Sequence, residues 1–93
     1  MTIQNLKFKI LPVLKGQGVL KASIFGSFAR GDSTSKSDVD ILVELSDDVS
    51  LFDFVGIKLE IEDIIGKKVD LVEYKVIKPR IKKNILADEV RIL

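Results

Sequence analysis

The segment from Asp38 to Leu45, DVDILVEL, restricts the possible folds of this chain more than any other segment. Its apolar side chains alternate, which is typical of a β-strand because successive residues of a strand point to opposite faces. One face would carry Val39, Ile41, Val43 and Leu45, and the other Asp38, Asp40 and Leu42. Aspartate is disfavoured in strands, and two aspartates on one face repel each other. We therefore expect a positively charged group between Asp38 and Asp40.

Helical and strand patterns alternate along the rest of the chain. The predicted elements are, in chain order, a helix over 3–14 that Pro12 bends or divides, a strand over 20–25, a helical turn over 27–30, the strand over 38–45, a helix over 50–66 that begins with a Ser50–Asp53 capping box, a strand over 68–74 and a last helix that Pro79 opens. Two strands joined without a helix indicate a mixed sheet. The sequence therefore predicts an α/β fold, a small mixed β-sheet flanked by helices, in a single domain over residues 1–93.

The predicted helix over 50–66 is apolar on two sides. One stripe consists of Phe54, Ile57, Ile61, Ile64 and Ile65, and a second of Leu51, Phe52, Val55 and Leu59. We expect the first stripe to cover the sheet. For the second stripe, packing beneath the other helices is the favoured interpretation, and a surface for a partner protein is the alternative.

Composition excludes several classes of site. With no Cys and no His, the chain has no zinc finger, no Cys/His nucleophile pair and no Ser-His-Asp triad, so that any metal would be held by oxygen ligands. A net charge of +1 gives little attraction to nucleic acid or anionic membrane. The basic residues near the C-terminus have no interleaved aromatics, which favours a solvated helix face and predicts no direct nucleic-acid binding. The N-terminal segment has scattered lysines rather than an apolar run, which predicts a cytoplasmic protein without a membrane span.

The acidic residues predict a metal site. With a side-chain period of two, Asp38 and Asp40 project from one face about 7 Å apart along the strand. Asp70 lies in another predicted strand and completes the set if the two strands are neighbours with matching faces. Three carboxylates without histidine suit magnesium, and two such ions can hold both the attacking and the leaving oxygens of a phosphoryl-type displacement.

Gly26 and Ser27 predict a phosphate site beside those carboxylates. A glycine at the end of a strand allows a ligand to approach the backbone closely. If Ser27 begins a helical turn, its free N–H groups and hydroxyl favour phosphate oxygens. The alternative is an ordinary turn with a helix cap. Together, the two predicted sites match a nucleoside triphosphate with magnesium.

These residues carry a resemblance to a known family. GSFARG followed by SDVDILV resembles the signature of the polymerase-beta-like nucleotidyltransferases, and the short chain is similar to the minimal nucleotidyltransferases of prokaryotic toxin–antitoxin pairs. By that resemblance, Asp38 and Asp40 would ligate two Mg²⁺ ions, and Asp70 would join one ion and act on the attacking hydroxyl. Gly26 and Ser27 would hold the phosphates, and Arg30 would contact phosphate or pair with a local acid.

The resemblance also implies a reaction and a partner. AMP would pass from ATP to a hydroxyl, with release of pyrophosphate, and the acceptor would be a tyrosine of an all-helical HEPN toxin, so that the chain acts as an antitoxin. The alternatives are an antitoxin that neutralises its toxin by binding alone, and transfer to a small molecule, against which the absence of an acceptor-binding domain argues. A homodimer and a mixed complex would both use a spare apolar helix face.

Overall fold

Four strands form one mixed sheet in the computed structural model, which describes residues 2–93. The elements are, in chain order, α1 (Ile3–Leu14), β1 (Val19–Phe25), α2 (Ser27–Arg30), β2 (Val39–Leu45), α3 (Leu51–Ile65), β3 (Val69–Glu73), a 3-10 turn (Tyr74–Val76), α4 (Pro79–Ala87) and β4 (Val90–Arg91). The strand order is β3-β2-β1-β4, with β2 parallel to β3 and β1 antiparallel to both β2 and β4. The predicted mixed sheet flanked by helices is confirmed.

The core lies between one face of the sheet and the helices α1 and α3. The alternation of β2 places Val39, Ile41 and Val43 on this face, all fully buried. Leu42 is also fully buried, although it belongs to the opposite face. The 3-10 turn packs against β2, which explains why the strand is buried on this second face as well.

Two features of the outer elements differ from expectation. Helix α1 is not divided at Pro12 but continues to Leu14. Pro12 lies in the last turn, where a single backbone hydrogen bond is lost, and the buried residues Ile10 and Val13 anchor the helix on both sides of it. The last residues, to which the sequence analysis assigned no element, contain β4, which pairs with the free edge of β1.

Helix α3 begins at the predicted capping box. The Ser50 hydroxyl accepts a hydrogen bond from the Asp53 N–H at 3.0 Å, and the Asp53 carboxylate accepts one from the Ser50 N–H at 3.2 Å. In the first apolar stripe, Ile57, Ile61 and Ile65 are buried, whereas Ile64 is 46% exposed.

The second stripe of α3 is not covered, so the favoured interpretation of it was wrong. The exposed fractions of its side chains are Leu51 78%, Phe52 87%, Val55 44% and Leu59 56%. Helix α1 packs beside α3, and both helices bury their apolar sides in the core against the sheet. The stripe is therefore an exposed apolar surface. No helix within residues 2–93 is both long and apolar enough to cross a membrane.

Candidate functional site

Two of the predicted acidic residues meet across adjacent strands. Asp40 of β2 and Asp70 of β3 are directly paired in the parallel register. Neighbouring strands lie about 4.8 Å apart, and paired residues share a face. Both side chains therefore project from the face of the sheet opposite α1 and α3, as the sequence required for a shared site.

The negative charges of this group act on Asp40. Burial raises its pKa, the charges of Asp70 and Asp38 raise it further, and the charge of Arg30 offsets part of the rise. Asp38 precedes β2 and is exposed, as is Asp70, whereas Asp40 is half-buried. Arg30 is thus a cation that influences Asp40 directly. Its hydrogen bonds go to Asp32 and Asp88 rather than to Asp38 or Asp40.

The carboxylates of Asp38, Asp40 and Asp70 suit a hard divalent cation, but they are not arranged as a complete metal site. All three side chains offer carboxylate oxygens, which magnesium prefers. In the described part of the chain, however, no three acidic side chains are placed so that they could hold a metal ion as they stand. Binding an ion would require Asp38 and Asp70, both exposed, to turn toward Asp40.

Gly26 makes room for the carboxylate of Asp40. A Cβ atom at position 26 would lie 2.1 Å from Oδ2 of Asp40, so that any other residue would displace it. The backbone at Gly26, with φ 75° and ψ −150°, is in a region that is essentially restricted to glycine. Ser27 follows as the first residue of α2, as predicted. The Gly-Ser turn is therefore built against the central carboxylate of the site.

Arg30 pairs with local acids. Its guanidinium donates hydrogen bonds to Asp32 at 3.2 Å and to Asp88 at 3.1 Å. The hydrogen bond to Asp88, followed by that to Asp32, raises the pKa of Arg30. Of the two roles predicted for Arg30, the structure shows the local pairing, which joins α2 to the end of α4.

A groove of about 400 Å³ lies beside Asp70, between the sheet and α4. Its floor comes from β1 and β3, and its wall from the 3-10 turn and α4. The lining residues are Phe25, Asp70, Val72, Val76, Ile77, Lys78, Arg80, Ile81 and Ile85. Residue patterns carry no signal for this groove, because it depends on where α4 lies across the sheet.

A polar cluster of Ser23, Tyr74 and Glu89 was not predicted either. The hydroxyl of Ser23, a fully buried residue of β1, donates to the Glu89 carboxylate at 2.7 Å and lies 2.7 Å from the Tyr74 hydroxyl. Tyr74 also donates to Glu89, and the ammonium of Lys21 lies 4.5 Å from the centre of the Tyr74 ring. The cluster ties the segment after α4 to the sheet. Its one sequence signal was a serine among the apolar residues of the second half of β1.

This cluster perturbs two ionisable groups in opposite directions. Burial and the hydrogen bond to Glu89 raise the pKa of Tyr74 to about 12. Burial acts to raise the pKa of Glu89 too, but the hydrogen bonds from Ser23 and Tyr74 and the charge of Lys21 lower it below its ordinary value.

Alkaline titration of Tyr74 tests the cluster. Tyr74 is the only tyrosine and the chain has no tryptophan, so near-ultraviolet absorbance reports this residue alone. We expect half-ionisation at about pH 12 in the folded protein, against about pH 10 in the unfolded chain. Because the folded pKa is the higher one, the stability that this group contributes is present below about pH 10 and is lost as the pH rises toward 12. Glu89→Gln removes a negative charge and should move the titration toward the ordinary value; a folded wild type that titrates at about pH 10 would contradict the cluster.

A family model and a curated relative both match this chain to nucleotidyltransferases. The family model described as polymerase beta, nucleotidyltransferase, matches residues 8–93. A Methanocaldococcus jannaschii protein described as a protein adenylyltransferase is 46% identical over 93 residues, which cover 100% of both chains.

Solved structures share the fold. One described as a minimal nucleotidyltransferase superposes with a TM-score of 0.83 at 29% identity and covers 97% of this chain and 95% of that one. Another, from Shewanella oneidensis, is a complex of a tri-AMPylated HEPN toxin with an MNT antitoxin. It matches with a TM-score of 0.74 at 17% identity over 97% of this chain and 71% of that chain.

Proposed function

The chain belongs to the polymerase beta nucleotidyltransferase family, and on that premise we propose that it transfers AMP from ATP to a tyrosine hydroxyl of a partner protein, with Mg²⁺ as cofactor. The observation that carries the proposal is the arrangement of Gly26, Asp40 and Asp70. The parallel register pairs the two carboxylates, and the Gly-Ser turn stands against Asp40. This arrangement suits a metal-bound triphosphate.

The residues that would hold magnesium are Asp38, Asp40 and Asp70. When bound, Mg²⁺ ions neutralise the phosphate charge that develops during transfer. The raised pKa of Asp40 supports this assignment, since its carboxylate faces two like charges and has only Arg30 to offset them. A divalent cation would relieve that repulsion.

The transfer step forms one bond to phosphorus and breaks another. The phenolic oxygen of the acceptor forms a bond to the α-phosphorus of ATP, and the bond from that phosphorus to the oxygen bridging to the β-phosphate breaks. Pyrophosphate leaves with the electron pair of the broken bond. Asp70 accepts the phenolic proton or orients the hydroxyl for its loss to water. The backbone of Gly26 and Ser27 would hold the departing phosphates.

The proposed partner is an all-helical toxin of the HEPN class, so that the chain serves as an antitoxin. Two findings support a protein acceptor. The Methanocaldococcus relative is described as a protein adenylyltransferase, and the Shewanella neighbour holds an AMP-modified HEPN toxin. The exposed stripe of α3 offers an apolar surface for such a partner.

The intact mass of the partner tests this function. The protein encoded beside this one would be co-expressed with it and weighed by mass spectrometry. We expect one or several added AMP units, with ATP as their source. Loss of the added mass when the partner's tyrosines are changed to phenylalanine would establish the acceptor type; added mass that persists would contradict tyrosine.

Binding without chemistry is the second candidate. The exposed stripe of α3 favours it, because a partner covering Leu51 and Phe52 would be held without any acidic residue. A stable complex with no added mass would identify this mode and overturn the transfer proposal.

A further inference from the structure

The groove between α4 and the sheet is more than a surface irregularity, because Asp70 is one of its lining residues. Two large apolar side chains that the fold leaves exposed, Val76 at 60% and Ile81 at 43%, line it. Phe25 and Val72 complete its apolar floor beside the carboxylate. A ligand in this groove would therefore bury apolar surface and lie beside the carboxylate of Asp70.

The chemistry of the lining distinguishes between possible ligands. Apart from Asp70, the only polar side chains are Lys78 and Arg80, and no Asn, Gln, Ser or Thr lines the groove. A nucleobase would leave its hydrogen-bonding edge largely unpaired here, at a cost. A phenol has an apolar ring and a single hydroxyl, which matches a mostly apolar lining that contains a single carboxylate.

The rim of the groove carries uncompensated positive charge. Lys78 and Arg80 are exposed, and neither forms an ion pair within residues 2–93. A polypeptide with acidic residues beside its tyrosine would complement this rim.

We propose that this groove is the acceptor site, and that it takes a tyrosine flanked by Asp or Glu residues of the partner protein. The ring lies against Val72, Val76 and Ile81, the hydroxyl reaches Asp70, and the flanking carboxylates meet Lys78 and Arg80. The assignment rests on the proposed function, which it deepens by naming the acceptor segment that the enzyme selects.

A binding experiment without nucleotide tests the site directly. The probe is the peptide Glu-Glu-Tyr-Glu-Glu, titrated into the ¹⁵N-labelled full chain while backbone amide shifts are followed by NMR. We expect saturable shifts at Phe25, Val72 and residues 76–85, and much weaker ones with Lys-Lys-Tyr-Lys-Lys or Glu-Glu-Ala-Glu-Glu. Shifts confined to α3, or no saturable shifts, would overturn the proposal.

Matched variants separate the groove from general effects. Lys78→Glu should weaken peptide binding about tenfold, whereas the identical change at Lys83, on the same helix outside the groove, should change it less than twofold. Ile81→Ala should weaken binding about fivefold, whereas Ile64→Ala, at a similarly exposed isoleucine of α3, should leave it unchanged. Equal effects within either pair would refute the assignment.

Failure of the acceptor site and failure of the proposed function give different results. If the peptide binds in the groove but the wild type adds no AMP to its partner, the transfer activity is refuted and the groove is a peptide site only, which overturns the acceptor role. Alternatively, AMP is added to the partner while Lys78→Glu and Ile81→Ala leave the KM for the partner unchanged. In that case the transfer activity stands and the role of the groove as acceptor site is refuted.

Discussion

Asp40→Asn is expected to reduce AMP transfer to the partner by at least about a thousandfold while the fold remains intact. The metal that Asp40 would share with Asp70 contributes several kcal/mol of transition-state stabilisation, and about 4 kcal/mol corresponds to that factor. Asparagine has nearly the same shape, and it removes a charge that burial and the like charges of Asp70 and Asp38 disfavour. We therefore expect the thermal stability to be unchanged or slightly higher. The measurement is the rate at which the partner gains AMP mass.

The control is Asp63→Asn, the same change at an exposed residue of α3. It should leave the transfer rate within about twofold of the wild type, since surface changes away from the site have small effects. If Asp40→Asn retained the wild-type rate, the proposed metal site would be ruled out. If Asp63→Asn lost as much activity, the effect would not be specific to the site.

Gly26→Ala is expected to reduce transfer by about a hundredfold or more and also to destabilise the fold. The added Cβ would lie 2.1 Å from Oδ2 of Asp40, where ordinary contacts begin at 3.4 Å. The carboxylate therefore has to move by roughly 1 Å, a misplacement that can cost about a hundredfold in rate. The backbone conformation at Gly26 adds about 1–3 kcal/mol of strain for alanine. Transfer rate and free energy of unfolding should be measured on the same samples.

Gly31→Ala is the matched control for this effect. Gly31 also has a positive φ, +82°, but an added Cβ would meet nothing within 4 Å. Its left-handed conformation costs alanine about 1 kcal/mol, so stability should fall while transfer is retained. Equal loss of activity in both variants would mean that strain near α2, rather than contact with Asp40, limits the reaction.

The face of the sheet on which Asp40 lies could be predicted, because strand periodicity is local and needs no knowledge of any neighbour. Asp38 was predicted to share that face within the same strand, but β2 begins at Val39 and leaves Asp38 just outside it. The partnership of Asp70 was conditional, since the register between β2 and β3 depends on how distant segments pair, and the structure then paired Asp70 directly with Asp40.

Features that depend on tertiary placement could not be predicted. Periodicity showed two apolar stripes on α3, but only the position of α1 and the sheet decides which stripe is covered, and Phe52 remained exposed. The groove requires α4 to lie across the sheet. The Tyr74–Glu89 hydrogen bond requires the C-terminal segment to return beside β1, which the sequence pattern did not indicate.

The hydrogen-bonded state of Tyr74 has a consequence for an enzyme with the proposed activity. Its only tyrosine lies four residues after Asp70 in the sequence. That hydroxyl is already donated to Glu89, and its pKa of about 12 keeps the phenolate, the better nucleophile, scarce at neutral pH. An enzyme of the proposed activity could therefore retain this tyrosine unmodified, because its hydroxyl is a poor nucleophile in the folded chain.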